Sequence, residues 1–170
     1  MNKKFILLGH RKRQGKDTFA NMLKEHLGDA KILSFAYPMK KILSTMKGLS
    51  MDEFENLKNS DAQTRLEIQR FGQVMKEWFG EDVWKTLVEV KAFDCKEKYI
   101  IVSDFRFPNE YIDNATTIKI VRDMEPSGDD HISETALVDY TFDLNIYNTG
   151  SLEDLNKTAF YIAEELLDDE

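Results

Sequence analysis

The chain has 170 residues, a net charge of −8 and one cysteine. That length suits a single domain with one core, and the acidic balance excludes a general nucleic-acid binder, whose basic surface must displace counterions. Cys95 alone excludes an internal disulfide and fits a reducing cytoplasm, while no apolar run approaches the ~18 residues of a membrane span or the core of a signal peptide.

Phe5-Ile-Leu-Leu-Gly9 predicts a strand, His10 to Gln14 a basic loop, and Gly15 to about Leu27 a helix stopped at Gly28-Asp29. Strand, loop, helix is the order of a phosphate site. Unpaired N–H groups at a helix mouth favour an anion. Gly15 lets the backbone approach a phosphate, Lys16 adds a mobile positive charge, and the Thr18 hydroxyl can reach phosphate oxygens or magnesium. Five residues separate Gly9 from Gly15, where the G-x-x-x-x-G-K-[ST] pattern has four. Asp17 follows the lysine; as a hard oxygen ligand it suits hydrated magnesium. The competing reading is an ordinary basic strand-to-helix turn.

Lys31 to Phe35 reads as a second strand, and Ala36-Tyr-Pro38-Met-Lys40 opens the next helix. Ser50-Met-Asp-Glu53 and Ser60-Asp-Ala-Gln63 have the capping-box form and mark two further helix starts. After Ser60, the spacing places Ile68, Phe71, Val74, Met75, Trp78 and Phe79 on a buried face. Arg65, Gln69, Gly72, Gln73 and Lys76 form a polar stripe on the other side, with Arg70 pointing elsewhere. A solvated face is the bland reading of that stripe. Gly72 argues against it, because alanine is favoured by about 1 kcal/mol at an exposed helix position, so a ligand or backbone is expected to come close. Gly80 to Trp84 begins another helical stretch with Trp84, Leu87 and Val88 as core, Trp84 being assigned to packing rather than base stacking.

Tyr99 to Ser103 is a third, buried strand, and Asp104-Phe-Arg106-Phe-Pro108-Asn109-Glu110 follows at its carboxyl end, where open parallel sheets place ligands. Asn109 and Glu110 suit either a helix start or a ligand contact. Thr116–Val121 and Phe142–Tyr147 are the fourth and fifth strands, the fifth alternating like an edge. Asp123 to Asp130, with Pro126, Gly128 and several carboxylates, has the composition of a mobile loop and is a candidate lid. Ser151 with Asp154 caps a last helix whose inner stripe is Leu152, Leu155, Ala159, Ile162, Ala163 and Leu166. The fold class is therefore α/β: a five-stranded parallel sheet, helices on both faces, and a helical excursion at about 36–95 walling a cleft.

Gly15-Lys-Asp-Thr18, Phe35-Ala-Tyr-Pro-Met-Lys40, Arg65 with Gln69 and Gly72, Ser103-Asp-Phe-Arg-Phe-Pro-Asn-Glu110, His131-Ile-Ser-Glu134 and Asn148-Thr-Gly-Ser-Leu152 together span nearly the whole chain. In that order they resemble the bacteriophage deoxynucleoside monophosphate kinases, relatives of the P-loop nucleoside monophosphate kinases. The resemblance implies one P-loop kinase domain over 1–170, with 36–95 receiving a nucleoside monophosphate and 123–135 closing as a lid. It implies that Arg13, Gly15, Lys16, Asp17, Thr18 and Asn148 serve ATP, with Asn148 near the adenine. Lys40, Arg65, Gln69, Arg106 and His131 are implied on the substrate side, and Asp17, Thr18 and Asp104 near magnesium.

The reaction so implied moves the γ-phosphoryl group of ATP to a nucleotide 5′-phosphate, with Lys16, Arg106 and Arg122 stabilising charge. His131 is read equally as a phosphate ligand or a cap for the segment it precedes. Two alternatives stay open: a phosphomevalonate kinase-like small-molecule kinase, and a nucleotide-sensing module that binds ATP without transfer. Nucleotides are the expected partners, not nucleic acid or membrane, and a homodimer is left open. Host cytoplasm is the expected location if the gene is a phage's.

Overall fold

The computed structural model describes residues 3–122 and 132–168. The apolar run ending at Gly9 forms β1 (Lys4–Gly9). It is joined by β2 (Ala30–Leu33), β3 (Tyr99–Phe105), β4 (Thr116–Val121) and β5 (Leu144–Tyr147) in one sheet of order β2-β3-β1-β4-β5. Every pairing is parallel. β1 and β3 lie inside the sheet and are buried on both faces, which is why both read as continuous apolar runs. β5 is at an edge, as its alternation predicts.

Side chains leave a strand on alternate faces, and here they feed two cores. Ile6, Leu8, Tyr99, Ile101, Ile118 and Ile120 meet α1 (Lys16–Leu27) and α7 (Leu152–Asp168) on one side. Leu7, Ile100, Val102 and Phe105 face Trp84, Val88 and Ala92 of α5 (Val83–Phe93) on the other. Each large side chain so buried contributes about 1.5–3 kcal/mol. Among the described residues no helix is long and apolar enough to cross a membrane.

Between β2 and β3 the chain makes α2 (Ala36–Met46), α3 (Met51–Ser60), α4 (Ala62–Phe79) and α5. The Ser50 capping box forms as predicted: Glu53 N–H donates to Ser50 Oγ and Ser50 N–H donates to Glu53 Oε2. The second start is displaced. Ser60 ends α3, its hydroxyl donating to the Asn56 and Leu57 carbonyls. Asp61 caps α4 instead, accepting from the N–H groups of Gln63 and Thr64 at 3.2 and 2.8 Å, because a carboxylate can hold both orphan donors at once.

The expected buried face of α4 is also corrected. Phe71 and Met75 pack against the core, but Val74, Trp78 and Phe79 are exposed, the last two by 75% and 65%. The helix is covered along a narrower strip than its apolar side, so that Val74 is exposed while Lys76 in the last turn lies over the Phe107 ring. Gly72 is buried rather than solvated, and it marks a close approach: a Cβ there would stand 3.1 Å from Met39 Sδ of α2. On α5, Trp84 and Val88 are core as predicted, whereas Leu87 is exposed.

The final helix carries the expected reciprocal cap between Ser151 and Asp154. Its inner stripe is confirmed from Leu155 to Leu166, while Leu152 at the first turn is exposed. β4 runs to Val121, and a short helix, α6 (Ile132–Thr135), precedes β5. Most of the segment read as a lid, and His131 with it, falls outside the described residues.

Candidate active site

The loop from His10 to Gly15 wraps through left-handed backbone at His10 (φ 85°), Arg13 (φ 60°) and Gly15 (φ 91°). Alternation of this kind gathers backbone N–H groups into anion-binding concavities, and it places the mouth of α1 over the ends of β1 and β3. Two side chains support the loop from outside. Asn148 Nδ2 donates to the Gln14 carbonyl at 3.0 Å and lies where a Gly15 Cβ would stand, 2.5 Å away. Gln14 is buried, and its Oε1 accepts from the Arg122 N–H. Nothing in the sequence marks Gln14, since a glutamine in a basic loop has no distinctive pattern.

Lys16 is only 6% exposed, its ammonium donating to the carbonyls of His10 and Arg11. Burial, reinforced by the nearby Arg106 charge, lowers its pKa to about 8. His10 is pushed down to about 4 by burial and by the charges of Lys119, Arg11, Lys16 and Arg106, and so is neutral at pH 7. Arg11 Nε is buried without a hydrogen-bond partner. A cationic loop holding an orphaned donor is a good fit for an anion.

Lys12, Arg13, Lys16, Asp17 and Thr18 open onto a cleft of about 610 Å³. Lys40 and Lys58 enter it from α2 and α3, and Arg106 and Arg122 from the ends of β3 and β4. Glu55 joins the two lysines, its Oε1 lying 2.7 Å from Lys40 Nζ and its Oε2 pairing with Lys58. Burial alone would raise the pKa of Glu55, but the hydrogen bonds and charges of the two lysines lower it on balance. Nothing in the sequence marks Lys58, because only the packing of α3 against α2 brings it beside Lys40.

A second cleft of about 680 Å³ is walled by Phe35, Met39, Ile68, Trp84 and Phe107, with Gln69, Gln73 and Asn109 as polar groups. Ala36, Asp104 and Arg106 line both clefts. The two chambers therefore meet at the end of β3.

Several predicted residues stand differently from expectation. Arg65 is turned away from both clefts, donating from Nε and Nη2 to the Lys58 and Asn59 carbonyls at 2.8 and 2.7 Å. The unpaired carbonyls at the end of α3 hold its charge. Arg70, expected to point elsewhere, lines the second cleft alongside Gln69. Asn148 uses its amide on the loop backbone, and it lines neither of these two clefts.

Asp104 ties β3 to α2. Its Oδ1 accepts from Phe35 N–H at 2.8 Å, and its Oδ2 from Ala36 N–H at 3.0 Å and Ser34 Oγ at 2.7 Å. The N-cap position of α2 is Phe35, which has no capping oxygen, so a distant carboxylate does that work. About four lone-pair sites on a carboxylate leave roughly one for anything else. Of the two readings of Glu110, the cap prevails: its Oε2 accepts from Arg106 N–H at 2.7 Å and Phe107 N–H at 3.0 Å. Asn109 Nδ2 donates to the Glu81 carbonyl at 2.9 Å and so anchors the α4–α5 turn.

A family model described as deoxynucleotide monophosphate kinase matches residues 47–159, about two-thirds of the chain. The chain belongs to the deoxynucleotide monophosphate kinase family. The matched span contains the second cleft's α4 and α5 walls, Asp104, Arg106 and Asn148. It begins after the phosphate loop, so within this kinase family the loop is read from its own geometry. A search of curated proteins finds none that matches.

Glu110 adds a pH dependence to this kinase fold. Burial raises its pKa to about 8, against the two N–H bonds it accepts from Arg106 and Phe107. Between about 4.5 and 8 the folded chain keeps a proton that the unfolded chain has released, so stability falls as pH rises through that window. Thermal melts of Glu110→Gln, which keeps an acceptor oxygen without the charge, should show a flatter pH dependence than wild type. An equal slope in both would remove Glu110 as its source.

Proposed function

We propose that the protein transfers the γ-phosphoryl group of ATP to the 5′-phosphate of a deoxynucleoside monophosphate, giving ADP and a deoxynucleoside diphosphate for DNA synthesis. The observation that carries this reading is the meeting of a cationic phosphate cleft and a part-apolar cleft at Ala36, Asp104 and Arg106. Donor phosphates fit the first. The second, with its aromatic walls and amides, suits a nucleobase whose phosphate points back toward Arg106, Lys40 and Lys58.

An acceptor phosphate oxygen is already nucleophilic at neutral pH. The step forms one P–O bond to the acceptor as the bond to ADP breaks, so it needs alignment and charge neutralisation rather than a general base. Lys16 and Arg122 bear on the donor side of that charge. Arg106 stands where both phosphates would meet. Among the described residues no group of three or more His, Cys, Asp or Glu side chains forms a metal cage. Magnesium, which keeps most of its waters and binds phosphate oxygens, would be held by Thr18, Asp17 and the remaining lone pair of Asp104, and would neutralise charge on the donor.

The test is to incubate the protein with ATP, magnesium and, in separate reactions, each deoxy- or ribonucleoside monophosphate and phosphomevalonate, then resolve the products. A labelled diphosphate from at least one deoxynucleotide is the expected result. ATP binding without product from any acceptor would favour the sensing module, and turnover of phosphomevalonate alone would favour the other kinase class.

A further inference from the structure

The cleft that gathers so many cations also holds the carboxylate of Glu134. Glu134, on α6, has a side chain only 8% exposed. Its Oε1 lies 2.7 Å from Arg106 Nη1, and its Oε2 accepts from the Lys12 backbone N–H at 2.7 Å. One residue thus bridges the phosphate loop to the arginine shared by both clefts. A negative charge there opposes phosphate binding, so anion affinity does not explain its presence. Geometry does: an arginine side chain has much rotamer freedom, and a two-point clasp to the loop backbone removes much of it.

We propose that Glu134 is a positioning residue, holding the Arg106 guanidinium in register with the phosphate loop for phosphoryl transfer. The proposal rests on the kinase reading above. Arg106 is clasped from two directions, its own backbone N–H being held by Glu110 and its guanidinium by Glu134. Lys12 contributes its backbone, so the clasp does not depend on that residue's side chain. Removing the Glu134 charge frees the guanidinium but also takes a repulsive charge away from the donor phosphates. Binding and turnover should therefore separate.

In Glu134→Gln, kcat should fall about 10- to 100-fold, the range of a misplaced transition-state donor. The KM for ATP should stay the same or drop a few-fold, and the melting temperature should change little. In an Arg106→Ala background the same substitution should change kcat by less than about two-fold, since the group it positions is gone. Equal losses of kcat in both backgrounds would overturn the proposal, and so would faster turnover in E134Q, which would make the pair a restraint. A KM that rises together with a lowered melting temperature would show a structural role only.

The Arg106 Nη–H resonance, assigned by its loss in Arg106→Ala, reads the group that Glu134 holds and is independent of turnover. It should be protected from solvent exchange in wild type and lose that protection in E134Q; protection unchanged by the substitution refutes the clasp. If the wild-type protein phosphorylates no nucleotide, the kinase reading fails while this resonance still decides the positioning claim. Should E134Q not fold, Glu134→Asp, which keeps the charge but shortens the reach, should lower kcat without the gain in ATP affinity.

Discussion

Replacing Lys16 with alanine should lower phosphoryl transfer about a hundred- to a thousandfold and leave the fold intact. The lysine is the one loop cation whose ammonium is buried at the mouth of α1, and a preorganised charge in such a site has an effect of that size. The fold survives because what is lost is a buried charge bonded to two loop carbonyls, not a part of either core. Circular dichroism melts beside product assays separate the two effects. Near-normal turnover in K16A would remove the lysine from the mechanism.

The same residue sets two opposite pH trends. Its folded pKa of about 8 lies below the ordinary 10.5, so between those values the unfolded chain binds more protons and stability contributed by this group rises with pH. ATP affinity of the free enzyme should fall over the same range, as the ammonium loses its proton. K16A should lose both trends. Calorimetric titrations at pH 7 and pH 9 check the binding arm, and melts across that range check the stability arm.

Replacing Gly9 with valine should destabilise the protein by about 3 kcal/mol, the upper part of the range for overpacking a filled core. A Cβ at Gly9 would stand 2.5 and 2.8 Å from the Phe142 ring and 2.9 Å from the Phe105 ring. Neither ring can retreat cheaply, since Phe105, Tyr140 and Phe142 pack edge to face on one another with centroids 4.9–6.1 Å apart. In a protein of this length 3 kcal/mol lowers the melting temperature by roughly 6–12 °C. The phosphate loop springs from this strand end, so ATP affinity should weaken as well. A melting temperature within a degree or two of wild type would mean that the rings move aside.

Near-neighbour chemistry was legible without coordinates. The strand, loop and helix around Gly15-Lys16, the caps at Ser50 and Ser151, the buried third strand and the edge-like fifth all depend on residues a few positions apart. Periodicity was less dependable on α4. A 3.6-residue repeat reports which side is apolar, but not how much of that side a partner covers, and so Val74, Trp78 and Phe79 read as core.

Local residue pattern sets most of the elements and the loop that bears the cations. Tertiary structure alone decided which side chains work together: Asp104 with the start of α2, Arg65 with the end of α3, Gln14 with the Arg122 backbone, and Glu134 with Arg106. The reason is physical. A helix or turn is stabilised by groups within one turn of each other, so its signature is written locally. An unpaired carbonyl, a buried carboxylate or a free guanidinium takes whichever partner packing brings within about 3 Å, and that partner can lie anywhere in the chain.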